Sequence, residues 1–374
     1  MTRLWERWEH YWFRPSPLVD LAIVRLIAVG FQLWHLATTR PLSAVADLQT
    51  LPDFMYAPLV VIRVMLLPLG WQYHPPADVI VGVYWATLAV GALAFLGYRT
   101  TFCLLLFAAG NLFLQGYLYS FHEVHHPEAI VMITLLLLAL APAGGALSVD
   151  DLRRRLRAVD DGLRVPPDPL ADEHRFARWP LLLVQWMFAL IYLSAAYHKL
   201  SWGGLEWMNG WTLQYYVLQD AMRWGSESAG TGTGYAAEPG VGLWMAQHHG
   251  MMRAASWLSI LFESTFWLIL VVPRLALLYL PIGIGFHATV YVLQRVSFFS
   301  FVWLYGVFVP WRDVLAQIRL WLAARTPRTV LSYDPSSVRS VRRATMIRYF
   351  DLLGVCVVSA RPPAVEGAAV ARVR

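Results

Sequence analysis

Cysteine, lysine and charged residues in general are scarce in this chain of 374 residues. Its two cysteines, Cys103 and Cys356, are too few for a disulfide scaffold or a cysteine-rich zinc site. Charged residues make up 14%, against roughly 25% in soluble domains, and hydrophobic residues make up 58%, against roughly 45–50%. There is no basic low-complexity tail, so no nucleic-acid partner is expected. The composition predicts a membrane protein whose partners include membrane lipids.

Eight stretches approach the ~20 apolar residues of a spanning helix, whose backbone amides must be satisfied internally in lipid. They lie at residues 17–37, 79–98, 101–119, 129–146, 180–200, 253–272, 275–294 and 297–314. The sequence therefore predicts an all-α polytopic membrane protein with about eight transmembrane helices. The apolar stretch at 57–69 is too short to span and is predicted to be interfacial or re-entrant.

Three regions follow from this pattern. Residues 1–16 alternate aromatic with charged residues and have no small-residue cleavage site, so they predict an interfacial amphipathic segment rather than a signal peptide. Residues 17–315 form the predicted transmembrane domain. Residues 316–374 form a small tail.

Arginines give the predicted orientation. In an eight-span topology, 23 of the 30 basic residues fall on one side with both termini, and five fall on the other. Basic residues are retained in the cytoplasm, so both termini are predicted to be cytoplasmic, as in a multi-pass protein of a bacterial inner membrane. Nine of the 11 histidines lie in the opposite, exoplasmic half. Any chemistry is therefore expected on the exoplasmic side.

Four predicted spans carry polar residues at helical spacing. They are Arg25 and Gln32, with His35 one turn further; Gln185, Tyr192 and Lys199; Ser256, Ser259 and Glu263; and Gly283, His287 and Tyr291. An ionisable group at the bilayer centre costs roughly 2.5–3.5 kcal/mol, which makes it a functional candidate. The pattern predicts a bundle with a polar cavity that opens outward. A structural interpretation stays open: Arg25 and Glu263 could pair with each other or with other internal groups, and Lys199 could be a snorkelling lysine.

Residues 121–126 (FHEVHH) fit the HxxHH spacing of membrane di-iron desaturases and hydroxylases. Such sites need many imidazoles to hold two irons. The chain has no second HxxHH, and the predicted loop is exoplasmic, whereas those enzymes place their histidine boxes on the cytoplasmic side. A di-iron oxygenase using residues 122–126 remains an alternative, and no metal is favoured.

Two segments carry a family resemblance. The first is His125-His126, an apolar span and then Leu147-Ser148-Val149-Asp150; the second is Lys199-Leu200 followed by Trp207-Met208-Asn209-Gly210. Together they resemble the horizontally transferred transmembrane domain (HTTM) family, which is related to vitamin K-dependent gamma-carboxylase. The resemblance extends over roughly residues 10 to 315.

The resemblance implies an enzyme linked to reduced vitamin K or menaquinol, either a carboxylase-like or epoxidase-like lyase or a quinol oxygenase. It implies that Lys199 is the catalytic base and His126 its helper, with His125 less favoured. The cofactor-binding residues then expected from the polar stripes are Tyr192, Gln185, Glu263, His287 and Arg25. The large lumenal domain of the carboxylase is missing, so a protein substrate is not expected. A non-catalytic structural, lipid-binding or quinone-binding protein is the main alternative, and no inverted repeat favours a transporter.

The tail resembles a truncated fragment of the DCC thiol-disulfide oxidoreductases. Residues 329–334 and 354–358 resemble its first two strands, with a helix between them. Ser337 and Ser340 stand where the family has the cysteines of its CxxC motif, so thiol exchange is excluded. A basic amphipathic tail lying on anionic lipid is an equal alternative.

Lys199 is the only lysine in the chain, and the other 29 basic residues are all arginine. Arginine stays protonated in proteins, whereas a desolvated lysine can lose its proton and act as a base. The sequence therefore predicts that Lys199→Arg preserves function if the residue is an anchor and abolishes it if the residue is the base. Depletion of lysine by GC-rich coding remains the alternative explanation.

Overall fold

The computed structural model describes residues 2–38, 41–70, 75–121, 128–162, 164–227, 240–294 and 296–360. The protein is 77% helical with little strand, which confirms the all-α membrane class. The α-helices are α1 (Thr2–Phe13), α2 (Leu18–Thr38), α3 (Pro41–Leu48), α4 (Val60–Leu66), α5 (Ala77–Leu96), α6 (Thr100–Tyr119), α7 (Ala129–Ala139), α8 (Val149–Gly162), α9 (Arg178–Gly203), α10 (Trp211–Glu227), α11 (Gly240–Ala246), α12 (His249–Thr265), α13 (Leu268–Val271), α14 (Ala276–Gln294), α15 (Phe299–Leu304), α16 (Trp311–Ala323) and α17 (Val338–Phe350). The strands are β1 (Ser16–Pro17), β2 (Glu173–His174), β3 (Thr329–Tyr333) and β4 (Cys356–Ala360).

Six helices in the described part of the chain are long and apolar enough to cross a membrane, rather than the predicted eight. They are Leu18–Thr38, Ala77–Leu96, Thr100–Tyr119, Arg178–Asn209, His249–Val271 and Pro273–Gln294. The remaining two predicted spans form the shorter apolar helices Ala129–Ala139 and Phe299–Phe308. Prolines explain their length: Pro142 follows α7 and Pro310 follows the 3₁₀ helix after α15, and proline cannot continue a helical hydrogen-bond ladder.

The bundle has two ends, which we name the tail end and the cavity end. At the tail end the start of α2 lies beside the α8–α9 connection, where Leu18 N–H donates to the Asp172 carbonyl (3.0 Å) and β1 pairs with β2. At the cavity end the end of α6 meets the 49–59 region, where Ala57 N–H donates to the Ser120 carbonyl (2.8 Å). The main hydrophobic core lies between these ends and is built mostly by α2, α5, α6, α7 and α9.

The tail forms a strand, a helix and a second strand that pairs in parallel with the first, from Thr329↔Cys356 to Tyr333↔Ala360. Ser337 caps the helix between them, because its side chain accepts the Ser340 N–H. The relation of this unit to the DCC proteins stays a prediction.

Candidate functional site

The side chains of Lys199 on α9 and Glu263 on α12 form an ion pair inside the bundle. Lys199 Nζ lies 2.5 Å from Glu263 Oε1 and 3.1 Å from Ser259 Oγ. The Glu263 side chain is 4% exposed and that of Lys199 is 25% exposed. Ser259 and Glu263 are one helical turn apart, so both face the ammonium from the same side of α12. The pair thus has a buried carboxylate and a partly open cation.

The Trp207-Met208-Asn209-Gly210 segment shapes the other side of Lys199. The ammonium lies 4.9 Å from the centroid of the Trp207 ring, which is a cation–π contact. Gly210 has a φ of +93°, and a Cβ at this position would lie 2.5 Å from the backbone nitrogen of Arg253. Only glycine fits both this conformation and this close approach to α12. The second family-like segment therefore fixes α12 against the loop that covers the lysine.

Lys199 and Ser259 open onto a cavity of about 1070 Å³, which we name the lysine cavity. Its walls are mainly apolar and aromatic side chains of α9, α10, α12 and α14. They include Trp202, Trp207, Tyr216, Leu258, Phe262, Tyr279, Ile282, Phe286, Val290 and Leu293. One charged group in a large apolar cavity is typical of a site for a ligand with a polar head and an apolar body.

The lysine cavity reaches the outer surface of α12 and α14. Apolar residues that line it, Leu258, Leu278 and Ile282, remain 64%, 56% and 46% exposed. In a membrane such exposed side chains face lipid chains.

A second polar cluster is buried behind the Phe262 ring. Tyr192 Oη lies 2.7 Å from His287 Nε2 and 2.5 Å from Tyr305 Oη. The Phe262 ring lies 5.1 Å from the Tyr192 ring and lines the lysine cavity. Gly283 makes the cluster possible, because a Cβ there would lie 2.4 Å from the Tyr305 hydroxyl oxygen.

Three buried polar atoms around these clusters have no hydrogen-bond partner within the described part of the chain: Ser256 Oγ, Glu263 Oε2 and His287 Nδ1. An unmade hydrogen bond on a buried polar atom is costly, so native proteins keep few of them. The second carboxylate oxygen of Glu263 can therefore accept a proton without breaking an existing bond.

The structure brings some of the predicted site residues together and separates others. Lys199 and Glu263 are in contact, and Tyr192 and His287 form the neighbouring cluster; none of Glu263, Tyr192 and His287 lines the lysine cavity itself. Gln185 lies towards the tail end, where its amide donates to the Val307 carbonyl (2.8 Å). His122, His125 and His126 lie outside the described residues.

Arg25 does not join this site. It is fully buried near the tail end, where its two terminal nitrogens donate to the carbonyls of Ala143 (2.9 Å) and Leu147 (2.5 Å). Leu147 has a φ of +47°, and the guanidinium bonds the carbonyl of this left-handed residue. Of the two alternatives left open by the sequence, Arg25 and Glu263 therefore do not pair with each other, and each has other internal partners.

The Leu147-Ser148-Val149-Asp150 segment holds the tail end together. Asp150 accepts the N–H groups of Arg99 (2.9 Å), which precedes α6, and of Thr100 (2.8 Å), its first residue. Ser148 N–H donates to Tyr349 Oη (2.7 Å), and the Tyr349 hydroxyl donates to the Ser148 carbonyl (2.9 Å). The first family-like segment therefore has a structural role at its carboxyl end.

Sequence reasoning did not single out Tyr305 or the aromatic residues Phe262 and Phe286. Tyr305 belongs to the last predicted span, which shows no polar stripe at helical spacing. The only sequence signal was Gly283, one turn before His287 on the polar face of α14.

No group of three or more histidine, cysteine, aspartate or glutamate residues that could hold a metal ion occurs among the described residues. Searches of known protein families, curated proteins and solved structures found no match to this chain.

Proposed function

We propose that this chain is an integral membrane protein related to the HTTM family and to vitamin K-dependent gamma-carboxylase. We propose further that it is a quinol-linked enzyme, with the lysine cavity as its active site on the exoplasmic side. The observation that carries the proposal is the sole lysine of the chain, which lies between a buried carboxylate and an apolar cavity open to lipid.

The lysine cavity suits a reduced menaquinol or vitamin K. Such a molecule has one polar ring and a long isoprenoid tail, matching one polar wall and many apolar ones. Trp202 and Trp207 supply aromatic surfaces beside Lys199, against which a quinol ring can stack. The exposed apolar residues of α12 and α14 would contact the tail. A bound quinol supplies two electrons and two protons, and dioxygen is the acceptor.

Lys199 and Glu263 would handle the proton. The direct hydrogen bond from Nζ to Oε1 gives the ammonium proton a path to the carboxylate when a ligand excludes water from the cavity. A neutral amine then faces the ligand and can accept a proton from a quinol hydroxyl. Catalysis by a positioned base contributes ~10²–10⁴-fold.

The two shorter apolar helices are proposed to complete eight crossings. The carboxylate of Glu128, just before α7, accepts the Tyr119 hydroxyl (2.7 Å) at the cavity end, whereas Leu147 contacts Arg25 near the tail end. Phe299 contacts Trp34 near the end of α2, whereas Arg312 N–H donates to Asp20 (2.7 Å) near its start. Irregular backbone at membrane depth is tolerated where protein surrounds it.

Both termini then lie on one side, and the excess of arginine on that side supports a cytoplasmic tail end. The lysine cavity would face the exoplasm. A reporter fused after residue 374 tests this orientation, and an exoplasmic signal would contradict it.

The main alternative is a protein that binds quinone or another lipid in the lysine cavity without chemistry. The lysine cavity is consistent with both functions, so a measurement of menaquinol oxidation must distinguish them. The di-iron alternative rests on residues 122–126, which lie outside the described part of the chain.

The test is oxygen-dependent oxidation of menaquinol by the purified full chain in nanodiscs, with bound quinone measured in the same samples. Ile282→Trp should fill the cavity and reduce both binding and oxidation by at least about tenfold, since it removes at least ~1.4 kcal/mol of binding. Ile284→Trp is the matched control, because Ile284 is equally exposed on α14 (45% against 46%) but does not line the cavity. Binding without oxidation would favour the non-catalytic alternative, and equal effects of both variants would remove the cavity from the proposal.

A further inference from the structure

A second large cavity, of about 890 Å³, lies at the tail end between α1, the start of α2, α9, the α13–α14 turn and the start of α16. We name it the arginine cavity. Its mouth carries Arg14, Arg178, Arg274 and Arg312, and its walls include Val24, Leu181, Leu182, Leu270, Leu277, Leu280 and Phe308. The cavity thus combines basic and apolar side chains. This combination is typical neither of a buried structural core nor of a purely polar surface.

Acidic residues also line the arginine cavity, but they are engaged by Arg312. Glu173 bonds to the Arg312 guanidinium (2.5 Å), Asp20 accepts the Arg312 backbone N–H (2.7 Å) and Asp313 lies 3.6 Å from Arg312 Nε. Four arginines and three carboxylates therefore line the cavity, and all three carboxylates contact Arg312. Arg14, Arg178 and Arg274 have no acidic partner among the described residues.

Arg14 and Arg274 are exposed, and neither side chain has a hydrogen bond or ion pair among the described residues. Arg178 is half-buried, donates through Nε to the Tyr11 carbonyl (2.8 Å) and is close enough to Arg14 for the two charges to repel. An adjoining cavity shares Arg14 and Arg178 and adds Arg3 and Arg7 of α1, with one acidic residue, Glu6. Neighbouring arginines that lack an acidic partner among the described residues favour the binding of an anion from outside the chain.

We infer that the arginine cavity binds an anionic phospholipid, with its phosphate among Arg14, Arg178 and Arg274. Arginine suits phosphate because its planar group can donate two parallel hydrogen bonds. The apolar walls come mainly from the apolar helices α2, α9 and α14, along which acyl chains would continue from the headgroup. Basic pockets between transmembrane helices are known to take such lipids. The phosphate alone could also come from solution, but it would leave the apolar walls uncovered.

The experiment is native mass spectrometry of the delipidated full chain, titrated with phosphatidylglycerol, with phosphatidylcholine of the same acyl chains, or with inorganic phosphate. Phosphatidylglycerol should bind more tightly than phosphatidylcholine, and inorganic phosphate should not displace it. The variant Arg14→Gln/Arg274→Gln should weaken phosphatidylglycerol binding by about ten- to thirtyfold, at ~1 kcal/mol for each arginine near a membrane surface.

The matched control is Arg157→Gln/Arg164→Gln. It removes the same charge from exposed arginines of the α8 region that line neither cavity. Equal weakening by both double variants, equal binding of the two lipids, or displacement by inorganic phosphate would each overturn the assignment. If Arg14→Gln/Arg274→Gln does not fold, the comparison of the two lipids on the unaltered chain still decides.

Discussion

Two basic residues of the predicted spans, Arg25 and Lys199, have opposite surroundings. Arg25 is fully buried, with two donors on backbone carbonyls. Lys199 is 25% exposed, faces a large cavity and pairs with a carboxylate, one oxygen of which has no hydrogen bond among the residues that the structure describes. The rigid, permanently charged guanidinium of arginine suits the buried carbonyls at position 25. A lysine, which can give up its proton, suits the cavity at position 199. The role of a cationic side chain inside a membrane protein thus depends on the groups around it and not only on its depth.

The largest expected effect comes from Glu263→Gln at the Lys199 side. Glutamine still accepts the lysine hydrogen bond but cannot hold its proton. Menaquinol oxidation should fall by ~10²–10⁴-fold while quinone binding stays near that of the unaltered chain. Ser256→Ala is the matched control, because Ser256 is buried two turns away on the same face of α12 and its hydroxyl has no hydrogen-bond partner in the described ranges. Retained oxidation in Glu263→Gln would contradict the proposed proton role.

The next effect concerns stability at the Arg25 side. Arg25→Met leaves the carbonyls of Ala143 and Leu147 unpaired, at ~1–3 kcal/mol for each. We expect the thermal midpoint in detergent to fall strongly and the yield of folded protein to drop. Arg157→Met, on exposed α8 surface, should leave both unchanged. An unaltered midpoint in Arg25→Met would show that the guanidinium does not stabilise this end.

A smaller effect is expected where the tail docks on Ser148. Tyr349→Phe removes both hydrogen bonds with the Ser148 backbone and should cost ~1–3 kcal/mol, seen as faster proteolytic release of the tail. Tyr333→Phe in β3 is the control. Burial raises the pKa of Tyr349 to about 12 from 10.0, so the neutral form is favoured in the folded protein. Docking should be complete below pH 10 and weaken as the pH rises towards 12; release that is flat across this range would contradict it.

The smallest effect is an acid dependence of the same tail. Burial would raise the pKa of Asp168, but hydrogen bonds from Arg319 and from Leu170 N–H, with the charges of Arg319 and Arg348, bring it below the ordinary 3.8. The lowered pKa means that Asp168 stabilises the fold above pH 3.8 and that this stabilisation is lost as the pH falls further. The protection of the tail against proteolysis should therefore decrease slightly below pH 4, and Asp168→Asn should remove that pH dependence.

Hydropathy alone was enough to predict the membrane class and to locate the segments that become the six long helices. It overcounted the long helices because it ignored Pro142 and Pro310, which end two apolar segments early. Helical spacing placed Lys199 and Glu263 on polar faces, but it could not choose between Arg25 and Lys199 as the partner of Glu263. That choice depends on which helices pack together. Tyr305 was missed because a single tyrosine in an apolar segment has no periodic signal.

The central claim is that Lys199 serves chemistry and Arg25 serves structure, and an exchange of the two cation types tests it most directly. Lys199→Arg and Arg25→Lys would be compared with the unaltered chain for both thermal midpoint and menaquinol oxidation per folded molecule. We predict that Lys199→Arg keeps its midpoint and loses oxidation, because an arginine cannot become a neutral base. Arg25→Lys should lower the thermal midpoint, because one ammonium replaces a guanidinium group that reaches two carbonyls. The folded fraction of this variant should oxidise menaquinol at the normal rate. Normal oxidation by Lys199→Arg, or an unchanged midpoint in Arg25→Lys, would contradict the account.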